Sequence, residues 1–159
     1  MRMRPRLLVA GAAVAAAALA PAAAPADPSS PAVEERRQPL PVADADGEYD
    51  RGVRARVAQD WPAAAAAFRR AVALRATFPE AWNELGFALR NQGRYAESLA
   101  AYDEALRQRP QFPEALEYLG EAYVKLGRLD DARRVLERLR PLDAARATEL
   151  AEEIRTATK

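Results

Sequence analysis

The sequence repeats itself with a period of 34 residues, and this self-similarity limits the fold more than any other feature of the chain. The block that begins at Pro79 aligns without a gap with the block that begins at Pro113. Both blocks open with Pro-Glu-Ala and then carry a Leu-Gly pair and a Gly-Arg pair at matching positions. A weaker copy one period earlier keeps a glycine at Gly52 and an aromatic residue at Phe68. A fixed period of this kind indicates an array built from one supersecondary unit.

Each block contains two amphipathic helices. Trp82, Leu85 and Leu89 lie at i, i+3 and i+7, which places them on one face of a first helix. A second helix with similar spacing is marked by Tyr95, Leu99, Tyr102 and Leu106. Glycine, which tolerates the left-handed conformation that ends helices, and proline, which blocks helix continuation, separate these stretches. The residues predicted to form the aromatic core are Phe68, Trp82, Tyr95 and Tyr102.

The pattern resembles the tetratricopeptide-repeat family. The family's motif positions are occupied here by Trp82, Leu85, Gly86, Tyr102, Ala105 and Pro110. Two mild departures are Ser98, where the family usually has alanine, and Leu89, where it usually has tyrosine. The resemblance covers residues 46–141 and implies an all-α fold, a right-handed superhelix of antiparallel helix pairs.

The resemblance also divides the chain into units. The expected repeats are 46–78, 79–112 and 113–141, followed by a capping helix and tail at 142–159. The first helix of the first repeat is degenerate, because Glu48 and Arg51 stand where Trp82 and Leu85 stand in the next repeat. A terminal repeat is expected to be atypical, since one of its faces has no neighbour.

The N-terminus reads as an export signal. Three arginines within the first six residues precede an uncharged apolar run from Leu7 to Ala20 and a segment rich in small residues that ends at Ala26. A basic start, a short apolar stretch and an Ala-x-Ala site are typical of a secretory signal peptide. We expect residues 1–26 to be removed; cleavage after Ala22 or Ala24, or an uncleaved membrane anchor, are the alternatives. The apolar run has 14 residues, whereas a membrane span needs about 20.

Residues 27–45 are predicted to form a disordered linker. This segment contains four prolines, two serines and a charged run, and it shows no helical period.

Composition excludes several classes of function. The chain has no cysteine and no histidine, which removes disulfides, thiolate metal sites and nucleophile–histidine catalysis. We therefore predict no enzyme activity, no catalytic residue, no bound metal and no cofactor. Removal of residues 1–26 takes away three arginines and no acid, which leaves a net charge of −2. A protein with this charge is a poor binder of nucleic acid, since neutralising phosphates supplies most non-specific affinity.

In stacked helix pairs, the first helices line a concave surface. The predicted peptide-binding groove consists of Tyr49, Val53, Glu80, Asn83, Phe87, Arg90, Asn91, Glu114, Glu117, Tyr118, Glu121 and Lys125. Phe87 either contacts a ligand or packs against Tyr49, Val53 or Tyr118 and closes the groove. The glutamates of the third repeat either select a basic ligand or form a solvated helix face.

Some members of the family bind chaperone C-terminal carboxylates with lysine, arginine and asparagine. The matching positions here are Tyr49, Val53, Glu84, Glu114 and Tyr118. None of them carries the required cation or amide, so the resemblance does not imply this ligand.

The predicted function is a scaffold or adaptor that binds a protein or peptide in the bacterial cell envelope, without stable membrane insertion after signal cleavage. The expected location is the periplasm or the exterior. The alternatives are a self-associating structural protein and a membrane-anchored accessory factor.

The mature protein is expected to begin at Asp27, because Ala24-Pro25-Ala26 is the best small-residue site after the apolar run. N-terminal sequencing of the protein from its native cells checks this. An intact Met1, with the protein in the membrane fraction, would support the anchor instead.

Overall fold

A computed structural model describes residues 44–158, which form helices joined by short turns and contain no strand. The helices in this range are α1 (Ala45–Val57), α2 (Trp61–Leu74), α3 (Pro79–Asn91), α4 (Tyr95–Gln108), α5 (Pro113–Lys125), α6 (Leu129–Leu139) and α7 (Ala144–Ala157). Helices α1 and α2, α3 and α4, and α5 and α6 pack as pairs, and α7 packs on both α5 and α6. The predicted all-α fold of antiparallel helix pairs is confirmed. The predicted signal peptide lies outside the described residues.

Local sequence sets the ends of the helices. Asp44 caps α1 by accepting a hydrogen bond from the Gly47 backbone N–H at 2.6 Å. The predicted linker at 27–45 is therefore wrong at its last two residues, and its remainder lies outside the described residues. Gly93 and Gly127 have φ angles of +74° and +69° in the turns after α3 and α5, a left-handed conformation that glycine adopts without strain.

Each of the first two helix pairs is joined by an aromatic ring pressed against a glycine. A Cβ atom on Gly52 would lie 2.5 Å from the ring of Phe68, and one on Gly86 would lie 2.6 Å from the ring of Tyr102. Both rings are completely buried. Only glycine leaves room for this approach, so the two helices of each pair meet backbone against ring.

The third pair reaches the same density in another way. Leucine, at Leu136, occupies the position that the aromatic ring takes in the other pairs. The atoms nearest to a Cβ on Gly120 belong to Leu150 of α7, which is 1% exposed. The capping helix thus fills the space that the smaller side chain of α6 leaves open, and this contact docks α7 on the last repeat.

In the degenerate first repeat, a polar contact takes the place of the usual apolar one. Glu48, which replaces the usual tryptophan, is 2% exposed and accepts hydrogen bonds from Arg70 at 2.7 Å and from Arg51 at 2.6 Å. The hydrogen bond from Arg70 is the main reason that the pKa of Glu48 lies below its usual range. A buried carboxylate with two guanidinium partners replaces the apolar contact.

Two of the predicted core aromatics are only partly buried. Phe68 and Tyr102 are core residues as predicted, whereas Trp82 and Tyr95 remain partly exposed. The Trp82 indole contributes to the floor of a groove of about 500 Å³ between α2 and α4. Alanines on α4 form much of the facing wall and are too small to cover the ring. Its N–H donates to the carbonyl of Ala76 at 2.9 Å.

Adding a methyl group at the glycine contact is expected to destabilise the fold. Gly86→Ala should lower the free energy of unfolding by about 1–3 kcal/mol, because the Tyr102 ring cannot move out of a packed core. In a Tyr102→Leu background, which imitates the third pair, the same change should cost less. A double-mutant cycle from urea denaturation measures the difference. Strictly additive effects would show that the ring and the glycine do not interact.

Candidate functional site

Helices α1, α3, α5 and α7 share one surface of the molecule, here called the concave face. Ion pairs join each of these helices to the next: Arg56 of α1 to Glu84 of α3, Arg90 of α3 to Glu121 of α5, and Arg146 of α7 to Glu117 of α5. We refer to these three cross-helix links as the ion-pair ladder. The first link has a nitrogen–oxygen distance of 3.1 Å.

Aromatic side chains occupy the centre of the concave face. The ring of Phe87 lies 5.8 Å from that of Trp61 in an edge-on arrangement and 5.1 Å from that of Tyr118. Tyr118 also lies 6.2 Å from the buried ring of Tyr102. Phe87 and Tyr118 are half-buried, so this aromatic row connects the core with the surface.

Two arginines of the ladder, Arg56 and Arg90, also contact the aromatic row. The guanidinium of Arg90 lies 5.2 Å from the centroids of both Phe87 and Tyr118, and that of Arg56 lies 6.0 Å from Phe87. Arginine planes at such distances are attracted to the negative faces of aromatic rings. The result is one cluster in which guanidinium groups and rings alternate.

Phe87 was expected either to contact a ligand or to pack against neighbouring side chains. Of the neighbours expected from the sequence, Tyr118 is one that it contacts, and Trp61 of α2 was not foreseen. Tyr49 lies elsewhere, with its ring 5.0 Å from that of Phe78 and 5.6 Å from that of Phe68. Phe87 therefore packs against protein on one side and keeps part of its surface exposed.

The glutamates of the third repeat, for which the sequence left two alternatives open, are paired with arginines from other helices. Arg146 pairs with Glu117 and, at 3.3 Å, with Glu114. Arg90 pairs with Glu121. Glu117 is only 5% exposed, so a ligand cannot reach it freely. Helix periodicity placed these carboxylates on one face, but it did not show that Arg146 would reach them from α7.

Burial acts on two carboxylates of the ladder. It raises the pKa of Glu84, against the opposing charge of Arg56. It also raises the pKa of Glu117, where the hydrogen bond and charge of Arg146 oppose the shift. In both groups the neighbouring guanidinium favours the ionised form and opposes the effect of burial.

Several predicted groove residues support the fold instead of facing a ligand. Glu80 pairs with Arg109 at the end of α4, as Asp46 pairs with Arg75 one repeat earlier. Asn83 is 4% exposed. Val53 packs in the core cluster of the first two helix pairs.

Asn91 and Lys125 are the exposed members of the predicted groove. The amide nitrogen of Asn91 donates to the Phe87 carbonyl at 2.8 Å. The structure therefore brings Phe87, Tyr118, Arg90 and Glu121 together, and it adds Trp61, Arg56, Glu84 and Arg146 to the surface. A rule that allowed for arginines reaching across one repeat would have found the ladder partners in the sequence.

This arrangement suits binding. Within residues 44–158, no three acidic side chains come close enough together to hold a metal ion. In the same range no helix is long and apolar enough to cross a membrane.

Comparisons with known proteins agree with the repeat period. Two family models, both described as tetratricopeptide repeat, match residues 49–111 and 89–152. The sequence matches no curated protein.

Solved structures share the fold. The TPR2B-domain:pHsp70 complex of yeast Sti1 has a TM-score of 0.67 at 20% identity, over 72% of this chain and 95% of that chain. The first TPR of Spaghetti (RPAP3), bound to the HSP90 peptide SRMEEVD, has a TM-score of 0.68 at 17% identity, over 72% and 92% of the two chains. MamA has a TM-score of 0.58 at 25% identity, over 71% of this chain and 61% of its own.

Removing the cation beside a buried carboxylate is expected to reduce stability. Arg146→Gln leaves Glu117 without its partner and should lower the free energy of unfolding by about 1–3 kcal/mol at neutral pH. The loss should shrink as the pH falls, because a carboxyl whose pKa is raised in the folded state becomes neutral there before it does in the unfolded chain.

Urea denaturation at neutral and mildly acidic pH measures both effects. The control is Arg155→Gln on the same helix, whose partner Glu152 is exposed. This control should change stability by no more than about 0.5 kcal/mol. Equal losses in the two variants would show that the Arg146–Glu117 pair contributes no more than a surface ion pair.

Proposed function

Because the chain belongs to the tetratricopeptide-repeat family, we propose that it is a scaffold that binds a protein or peptide partner on its concave face. The observation that carries the proposal is the half-exposed aromatic row of Phe87 and Tyr118, held in place by Trp61 and by two arginines. Aromatic residues and arginines are the side chains on which binding energy concentrates in interfaces. Of the solved structures with this fold, the TPR2B domain of yeast Sti1 is in a pHsp70 complex, and the first TPR of Spaghetti is bound to an HSP90 peptide.

The ligand differs from a chaperone C-terminus. The positions that would hold a terminal carboxylate carry Tyr49, Val53, Glu84, Glu114 and Tyr118, which include no cation and no amide. Glu84 and Glu114 would repel a ligand carboxylate. Their ion pairs with Arg56 and Arg146 reduce this repulsion.

The site of action that we propose is the cell envelope of a bacterium, in the periplasm or outside the cell. Its support is the N-terminal sequence, in which arginines, a short apolar run and Ala24-Pro25-Ala26 follow one another as in secretory signals. An uncleaved anchor would keep the same scaffold at the membrane surface.

Site-directed cross-linking tests the binding face. Benzoylphenylalanine replaces Asn91, which is exposed on the concave face, and in a separate protein it replaces Ala100, which is exposed on α4. Illumination in the native cells should give a distinct cross-linked protein from position 91 and not from position 100. Products only from position 100 would assign binding to the opposite surface. Products that contain two copies of the chain would identify a self-associating structural protein.

A further inference from the structure

We propose that the concave face selects an uncharged peptide segment that is anchored by an aromatic side chain. This inference rests on the proposed function and adds the chemical class of the ligand. It is based on two features that occur together: charges that are already paired within the protein, and a row of rings and guanidinium groups in which Phe87, Tyr118 and Arg56 are partly exposed.

The ion-pair ladder disfavours charged ligands. Arg56, Arg90 and Arg146 each pair with a carboxylate of a neighbouring first helix. A basic ligand would have to displace an arginine from its glutamate, and an acidic ligand would have to displace a glutamate from its arginine. Either exchange replaces one ion pair by another and still requires the ligand's charge to be desolvated. An uncharged segment binds without breaking any link.

The paired side chains of the ladder are also largely shielded from water. The side chains of Arg90 and Glu121 are 16% and 21% exposed, and that of Glu84 is 18% exposed. Charges that are largely shielded from water hold one another more strongly than surface pairs do. The ladder pairs also exert little long-range attraction on a ligand, since each ladder arginine lies within a few ångströms of its carboxylate.

Arg56 and Phe87 together offer a contact for an aromatic side chain. The side chain of Arg56 is 37% exposed, more than twice the exposure of the Arg90 side chain, and its guanidinium lies 6.0 Å from the Phe87 ring. A guanidinium plane and the edge of a phenyl ring favour a further π-system, which stacks on the first and meets the second edge-on. A ligand Phe, Tyr or Trp would extend the existing series of Tyr118, Arg90 and Phe87. An aliphatic side chain has no π-face for this contact.

A hydrogen-bonding group stands beside the aromatic row. Asn91 is exposed and uses its amide nitrogen to bind the carbonyl of Phe87. Its amide oxygen is left as an acceptor for a backbone N–H of a bound segment. One acceptor next to an apolar anchor is the combination that orients a peptide without selecting its charge.

The test is a selection of displayed random peptides against the immobilised full chain. The enriched sequences should share a Phe, Tyr or Trp and have a net charge near zero. Synthetic versions should bind equally well with a free or an amidated C-terminus. Their dissociation constants, measured by fluorescence anisotropy, should change less than about threefold between low and high salt. Enriched sequences that are rich in Lys and Arg, or in Asp and Glu, would overturn the proposal.

Two variants locate the contact and test the role of the ladder. Phe87→Leu keeps an apolar side chain and should weaken binding by about tenfold or more, as expected for loss of a central aromatic contact. Glu121→Gln frees Arg90 and should strengthen binding of peptide versions with one added Glu by about tenfold, an effect that disappears at high salt. Circular dichroism confirms that each variant is folded.

The control is Glu97→Gln, which removes the cross-helix pair with Arg69 between α2 and α4. It should leave both kinds of peptide unaffected. If Phe87→Leu binds as well as the natural chain, or if Glu121→Gln gives no gain for acidic peptides, the inferred ligand class is wrong. If no enriched peptide responds to any change on the concave face, the proposed function itself fails.

Discussion

The packing of the first two helix pairs depends on the close approach of an aromatic ring to a glycine. Gly52 and Gly86 let the rings of Phe68 and Tyr102 lie against the backbone of the first helix, and both rings are completely buried. In an alanine-rich core each side chain buries little area, so the helices must come close together to gain stability. This contact sets the separation of the two helices within each of these pairs.

The third pair meets the same packing constraint with a different side chain. Because Leu136 is smaller than a ring, α7 moves in and places Leu150 next to Gly120. Ala151 of α7 follows Leu150 as Gly86 follows Leu85, so a methyl group stands where a further pair would need a glycine. An aromatic ring could therefore not pack at Ala151 as closely as Phe68 and Tyr102 pack against their glycines.

Electrostatic contacts between successive first helices give the concave face its character. Each repeat contributes a long cation or a carboxylate that reaches the next repeat, and the rings of Phe87 and Tyr118 lie among these pairs. The same groups join the helices of the superhelix and line the proposed ligand surface. The three ladder pairs carry no net charge, since each arginine is paired with one carboxylate. The peptide-bound structures share the fold of this chain, and their ligands are not transferred to it.

The sequence by itself determined the repeat period, the helix pairs and the positions of the glycines and the buried rings. These features follow from local rules, namely the spacing of apolar residues and the conformations open to glycine and proline. The partial exposure of Trp82, the pairing of Glu117 with Arg146 and the contact of Phe87 with Trp61 were decided by the tertiary structure alone. Ladder partners lie 28 to 31 positions apart on separate helices, and an arginine side chain is long enough to reach several neighbours. Periodicity gives the face on which a residue lies, whereas only the packed distances between helices select its partner.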